Sequence, residues 1–540
     1  MKKLNSYQFA LFIVLLSILA VGGCNENSNN NGDQTRSIDG SGNNINQPLM
    51  GATFTELVRY IFSDYEDGIS EMQEAGFPSA RLVSNIVCSQ EQLIPNPLNA
   101  SDYIWQWGQF LDHDIDFTNG ADPVEPADIA VPVGDPFFDP FDTGTQVITF
   151  NRSAFNTSTG TGVDNPRQQI NTITTWIDAS NVYGSDVERA TVLRTNDGTG
   201  RLNTSAGDLL PFNTEGLPND GGDDDPFLFL AGDFRANEQV GLTSMHTLFV
   251  REHNRYVTAL AIDRPGLSGE ELYQKGRRFV GALMQAITYN EFLPALMGNG
   301  AISAYNGYNP SVDASIANIF STAAYRFGHS MLSPVLQRLD QNLNVIPQGN
   351  LELRDAFFTP ETITDEGGID PILRGLAKQV AQRLDTLIVD DVRNFLFGPP
   401  GSGGFDLASL NMQRGRDHGL PRYNDVREQM GLSRVTSFQE INSDPDIEMK
   451  LQEAYGNVDS IDLWAGGLAE EPLAGSHLGE LFQLIIKTQF EALRDGDRFW
   501  YERKLGNAEL SEVLATKLSD VIKRNTGIGA ELQDNVFNVQ

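Results

Sequence analysis

The stretch WGQFLDHDIDFT, residues 107–118, sets one histidine among three carboxylates and offers no basic residue to answer them. His113 is flanked by Asp112 and Asp114, with Asp116 downstream and Gln109 upstream. No Lys or Arg occurs between Arg81 and Arg152. An imidazole takes and returns protons near neutral pH. A carboxylate can ligate a hard cation, accept hydrogen bonds or be used covalently. On a helix, Gln109, Asp112, His113 and Asp116 fall at i, i+3, i+4 and i+7, one polar stripe, with Trp107, Leu111 and Ile115 on another face. A wet helix face is the plain alternative. Against it, a solvent face normally mixes charge signs, and Tyr103, Trp105, Trp107, Phe110 and Phe117 predict burial. A buried carboxylate must be paired, metal-bound, protonated or covalently used.

A second stretch, TTWIDAS at 174–180, supplies oxygen donors at alternate positions: Thr174, the Trp176 carbonyl, Asp178 and Ser180. Such alternation lets a loop wrap a hard cation, and an Asp from the helix would complete a calcium-like site. An ordinary polar turn fits the same pattern. The six histidines are His113, His246, His253, His329, His418 and His477, and no zinc spacing occurs among them. His246 and His253 would stand about 10 Å apart along one helix, too far to share an ion. A transition metal here would have few imidazole ligands, which suits a haem with one axial histidine.

These residues must be held by a large scaffold. The chain has 540 residues, 40 % of them hydrophobic, and a formal net charge of −34. The acidic excess argues against nucleic acid as a partner, because phosphates would be repelled. Lys2 and Lys3 precede an apolar run from Phe9 to Gly23, too short for a comfortable membrane span, which reads as a secretion signal. Its end, LAVGGC, resembles the bacterial lipobox, in which Cys24 would be acylated; an ordinary cleaved signal is the alternative. The expected organisation is a signal peptide at 1–23, a flexible polar tether at 24–48 and a catalytic domain at 49–540. The protein would be exported and lipid-anchored to a bacterial membrane, periplasmic or at the cell surface. Cys88 is then the only thiol of the folded body.

Helical patterns dominate after the tether. Asp370-Pro371 reads as an N-cap and first helical position. Ile372, Leu373, Leu376, Val380, Leu384, Leu387 and Ile388 then mark one face, and Gly398-Pro399-Pro400 ends it. Leu510, Val513, Leu514, Leu518, Val521 and Ile522 repeat the pattern. Segments 119–145 and 214–226 are too long for plain connectors and read as functional or ion-bound loops. Strand-like alternation is scarce. The predicted fold is one large, mainly α domain with long loops and little β.

WGQFLDHDIDFT, TWIDASNVYGS, LTSMHTLFVREHNR, YRFGHS, LNMQRGRDHGLPRYN and LRDGDRFWYE resemble, in order, signatures of the animal-type haem peroxidase superfamily. The chain is similar to its peroxidasin and myeloperoxidase-like branches, in a bacterial lipoprotein form. The resemblance covers nearly the whole mature chain, from TRSIDGSGNNINQP at 35–48 to RNTGI at 524–528.

The resemblance implies a haem b and roles for particular residues. His113 resembles the distal histidine, a general acid–base group that is competent as the neutral imidazole. Gln109 would line the distal pocket, and Arg235 resembles the distal arginine that stabilises charge on the departing oxygen. His329 resembles the proximal iron ligand, with Asn411 accepting its ring N–H. Arg326 and Arg414 look like partners of the haem propionates. Asp112 and Glu238 match carboxylates that form ester bonds to the haem. Asp114 matches the calcium ligand that joins Thr174, Trp176, Asp178 and Ser180. Asp116 is left with a structural role.

The implied activity is oxidation by H₂O₂ of bromide, iodide, thiocyanate or small phenols. Gln239 stands where one branch carries a Met linked to haem, so that link and the strongest chloride oxidation are not expected. A fatty-acid dioxygenase of the same superfamily is one alternative. Its members put a Tyr three residues before the proximal His, whereas this chain has Arg326 there and Tyr325 one place off. A calcium-dependent surface adhesion module with a vestigial pocket is another.

Overall fold

A computed structural model of the chain describes residues 34–222 and 225–540. Cys24 and the apolar N-terminal run lie outside the described residues. Among the described residues, no helix is long and apolar enough to cross a membrane.

Six helices frame the site. Helix α1, Tyr103–Ile115, is apolar on most of its circumference, with Tyr103, Ile104, Trp107, Phe110, Leu111 and Ile115 fully buried. A helix of that kind has to run through the core rather than over it. Helix α2, Val240–Asp263, starts where the Gln239 side chain accepts from the Gly241 N–H. Helix α3, Gly269–Ile287, opens with a capping box in which Ser268 and Glu271 satisfy each other's end. It packs on α2 through Tyr256 and Phe279, whose rings stack at 4.0 Å. Helices α4 (Asp370–Lys378), α5 (Leu407–Asp417) and α6 (Glu480–Asp495) complete the frame. His329 lies between them in a run of 3₁₀ turns, Ala324–Met331.

Among the described residues the strands are two residues long and form three antiparallel pairs. They are β1 (Thr55–Glu56) with β4 (Ile170–Asn171), β2 (Ile129–Ala130) with β3 (Val147–Ile148), and β5 (Val335–Leu336) with β6 (Leu351–Glu352). These pairs clip loops together and build no layer. The mainly α, single-domain expectation holds.

Three expectations change. Residues 35–48 belong to the domain and not to the tether: the compact unit begins at Thr35. Asn43 and Asn44 are buried, Asn43 Nδ2 donates to Asp497 Oδ1 at 2.9 Å, and Trp176 Nε1 donates to the Gly40 carbonyl at 3.0 Å. Polar composition hid this, because these Asn residues satisfy buried partners instead of water.

The helix expected from 370 to 388 stops at Lys378, and Ile369 rather than Asp370 takes the cap position. Gln379 is extended, and its side chain donates to the Val335 carbonyl at 2.7 Å. Beyond it, Val380, Gln382 and Ile388 bridge to Ser101, Pro95 and Ser89, so backbone partners from another segment replace the next helical turns. The C-terminal pattern likewise splits into Asn507–Ala515 and Leu518–Asn525, with Thr516 and Lys517 extended between them.

The 119–145 loop is tied to the core by charge pairing at Asp135. The Arg81 guanidinium is fully buried. It donates through Nε to Asp135 Oδ2 at 2.7 Å, through Nη1 to Asp406 Oδ2 at 2.8 Å and through Nη2 to Asn394 Oδ1 at 2.8 Å. Asp406 in turn caps α5 by accepting from the Ser409 N–H at 3.2 Å.

Candidate active site

The fold brings His113 and His329 onto the lining of one cavity of about 450 Å³. Arg235, Gln109, Asp112, Glu238, Arg326, Asn411 and Arg414 face the same cavity, as does Asp116. Leu332, Leu353, Leu407 and Leu410 give it an apolar wall. A cavity this size, largely apolar with a few convergent polar groups, suits a cofactor-sized ligand.

His113 is buried. Burial first, and then the positive charge of Arg235, push its imidazole well below the ordinary histidine value, so the ring is neutral. Its Nδ1 lies 3.5 Å from Asp233 Oδ1 and its Nε2 lies 3.8 Å from Glu238 Oε2. Arg235 is gripped by Asp233: Nε donates to Oδ1 and Nη2 to Oδ2, both at 2.9 Å. Nη2 also donates to the Asp116 carbonyl at 3.1 Å, and the guanidinium sits 4.7 Å from the Phe117 ring centre. Burial would raise the Asp233 carboxyl, but the charge of Arg235 and its hydrogen bonds outweigh it and hold the group at about 2.

Asp112 and Glu238 carry the opposite shift. Burial and then the neighbouring Asp116 push Asp112 up to about 7. Burial pushes Glu238 up to about 8 against the pull of Arg235. Gln109 Nε2 donates to Glu238 Oε2 at 2.9 Å, and Gln239 Nε2 donates to Gln106 Oε1 at 2.8 Å and to Gln109 Oε1 at 3.0 Å. Gln239 is thus engaged with its neighbouring amides. Asp116, read as structural, is buried with Oδ1 unpartnered and lines the cavity.

Burial drives His329 down to about 3, so this ring is neutral too. Asn411 Nδ2 lies 2.7 Å from His329 Nδ1, while Asn411 Oδ1 accepts from Arg326 Nη1 at 3.1 Å. The Arg326 guanidinium can only donate, so it holds the carbonyl oxygen of the amide that orients His329. Arg414 donates to Ser153 Oγ at 2.9 Å and to Asp417 Oδ2 at 3.1 Å, and burial lowers it to about 10.

The second cluster also assembles. Asp114 Oδ2 accepts from the Asp178 and Ala179 N–H groups at 3.1 and 3.2 Å. Ser180 Oγ donates to the Asp114 carbonyl at 2.8 Å, and Thr174 Oγ1 approaches Asp178 Oδ1 at 3.4 Å. Ala179 takes a left-handed conformation, φ 66°, to wrap the loop around Asp114. Asp114 and Asp178 are both buried, and Asp114 is raised to about 8 by burial and by Asp178. Arg277 reaches Asp178 Oδ2 at 3.3 Å. Two buried carboxylates with hydroxyl and carbonyl donors fit a hard cation, which would relieve their repulsion. His246 and His253 are core residues: His246 Nδ1 meets the Asn181 carbonyl at 3.0 Å, and His253 meets the Tyr183 hydroxyl at 2.8 Å.

Asp233 escaped the sequence reading. Its only signal is an acid two residues before Arg235 in GDFR, a spacing that also reads as a polar turn.

The residues fit a haem: two neutral imidazoles on one apolar-walled cavity, with the guanidinium groups of Arg235, Arg326 and Arg414 on its lining. Comparison with known proteins agrees. The profile of the animal haem peroxidase family matches residues 35–537. A peroxidasin homolog of Mus musculus is 38 % identical over 93 % of this chain, which spans only 37 % of that relative. The solved peroxidase A of Dictyostelium discoideum superposes with a TM-score of 0.88 at 35 % identity, covering 94 % of this chain and all of that one. A fatty acid alpha-dioxygenase of Oryza sativa shares the fold with a TM-score of 0.79 at 22 % identity. With the family profile spanning nearly all of the described domain, this chain belongs to the animal haem peroxidase family.

Proposed function

We propose that the protein is a haem peroxidase that uses H₂O₂ to oxidise small donors: bromide, iodide, thiocyanate or phenols. One observation carries this reading, the shared cavity lined by His113, Arg235 and His329. Bound haem would supply the oxidation by peroxide and the return of electrons from the donor. The chain supplies the rest. Neutral His113 can take a proton from peroxide and return it to the leaving oxygen. Arg235, held by Asp233, presents fixed positive charge to that oxygen. Gln109 positions small polar molecules beside them. His329 would hold the iron, with Asn411 orienting the ring and Arg326 and Arg414 near the propionates. Asp112 and Glu238 are the carboxylates for ester links, and their raised protonation lessens the negative charge of the cavity near neutral pH.

Asp114, Thr174, Trp176, Asp178 and Ser180 would bind Ca²⁺ and brace α1. Cys24 would anchor an exported protein by lipid. The dioxygenase reading is less well supported: Tyr325 stacks on Phe320 at 4.6 Å, with its hydroxyl buried and unpartnered, and Arg326, not a Tyr, stands three residues before His329. The adhesion reading does not need a neutral imidazole facing a clamped arginine.

The test is haem titration of the purified full chain, followed by steady-state oxidation of chloride, bromide, iodide and a phenol. A Soret band and peroxide-dependent turnover are expected. Absence of haem uptake would favour the adhesion module, and turnover of linoleate with O₂ in place of peroxide would favour the dioxygenase.

A further inference from the structure

We propose that Asp233 is a positioning residue that holds Arg235 and His113 in one fixed relation and sets the tautomer of His113. The proposal rests on the peroxidase reading above. Asp233 is 3 % exposed. Its Oδ1 accepts from the Arg235 backbone N–H and from Nε, each at 2.9 Å, while Oδ2 accepts from Nη2 at 2.9 Å. Nη1 is the guanidinium nitrogen that this grip leaves unused. The same Oδ1 lies 3.5 Å from His113 Nδ1, a buried atom with no hydrogen-bond partner. A carboxylate there favours the proton on Nδ1 and leaves the Nε2 lone pair as the base.

Asp233 is itself seated against the helix that carries His113. Its N–H donates to the Asn181 carbonyl at 3.0 Å. The Asn181 side chain donates to the Phe110 carbonyl of α1 at 2.7 Å. Gly232 allows the approach, since a Cβ there would fall 2.4 Å from the Ser180 carbonyl oxygen. Arginine, imidazole and helix therefore converge on one residue, Asp233.

Cyanide binding to the ferric haem-loaded full chain tests this without turnover, because HCN must surrender its proton in the pocket. Asp233→Asn should lower the association rate constant by about 10–100-fold while keeping the Soret band. Asp233→Glu, which keeps the charge, should recover most of the rate. A wild-type rate in Asp233→Asn overturns the proposal, and so does an equal loss in both variants. A second measurement needs no Asp233 variant: ¹⁵N NMR of histidine-labelled, haem-free protein, with the signal assigned by its loss in His113→Gln. A proton on Nδ1 is expected, and a proton on Nε2 overturns the proposal. Wild-type protein that takes up no haem would instead remove the peroxidase reading on which the proposal stands.

Discussion

Arg326 Nη1 donates to Asn411 Oδ1 at 3.1 Å, and this bond decides which end of the Asn411 amide faces His329. The Asn411 amide lies 2.7 Å from His329 Nδ1. Ligation of iron through Nε2 would need the ring proton on Nδ1, which an accepting group there would stabilise. Asn411→Asp can accept from Arg326 and from His329 together. It should retain haem and make the iron midpoint potential more negative. Asn411→Leu should weaken haem binding by about 10–100-fold, read by absorbance titration. Equal haem affinity of Asn411→Leu and wild type would refute the role of this contact.

His113→Ala should lower kcat/KM for peroxide by about 10²–10⁴-fold with haem retained. Burial and Arg235 depress the imidazole below its ordinary value of 6.5, so the neutral base persists as pH falls through 6.5. Stopped-flow rates with peroxide should stay flat across that value. A drop centred there would show that the ring titrates as if exposed.

Glu238 predicts how haem-free stability depends on pH. Its folded value, about 8, lies above its ordinary 4.5 because of burial. A raised carboxyl contributes stability that is fully present below 4.5 and lost as pH rises through 8. Glu238→Gln should flatten this decline, and urea denaturation of both proteins across that window checks it. Identical slopes would contradict the assignment.

Arg81→Ala should destabilise the domain by about 3–5 kcal/mol, because two buried carboxylates, Asp135 and Asp406, lose their cation. Chemical denaturation measures it. A loss under about 1 kcal/mol, the range of exposed pairs, would mean that the cluster relaxes to admit water.

Calcium should raise the melting temperature of wild type and not that of Asp178→Asn. At 100-fold excess over its Kd the cation contributes about 2.7 kcal/mol. Calorimetry with Ca²⁺ and with a chelator reads the difference, and a chelator with no effect on wild type would remove the cation from the site.

Much of the site was legible from local residue patterns. The polar stripe of α1 and the alternating donors of 174–180 are set by spacing along one element, and such spacing survives folding unchanged. Burial of His113 was likewise foreshadowed by its aromatic neighbours. By itself, then, the sequence determined a large helical domain, a buried acid–histidine helix and a loop of hard oxygen donors. The tertiary structure alone decided which distant groups meet: His113 and His329 on the lining of one cavity, Asp233 against Arg235, and Arg326 on the Asn411 carbonyl. It also decided where helices stop, at Lys378 and Ala515, because partners from other segments took over backbone hydrogen bonds or left the next residues extended. Periodicity records only which face is apolar. Which neighbour satisfies a buried polar atom depends on contacts hundreds of residues apart, and no local pattern encodes those.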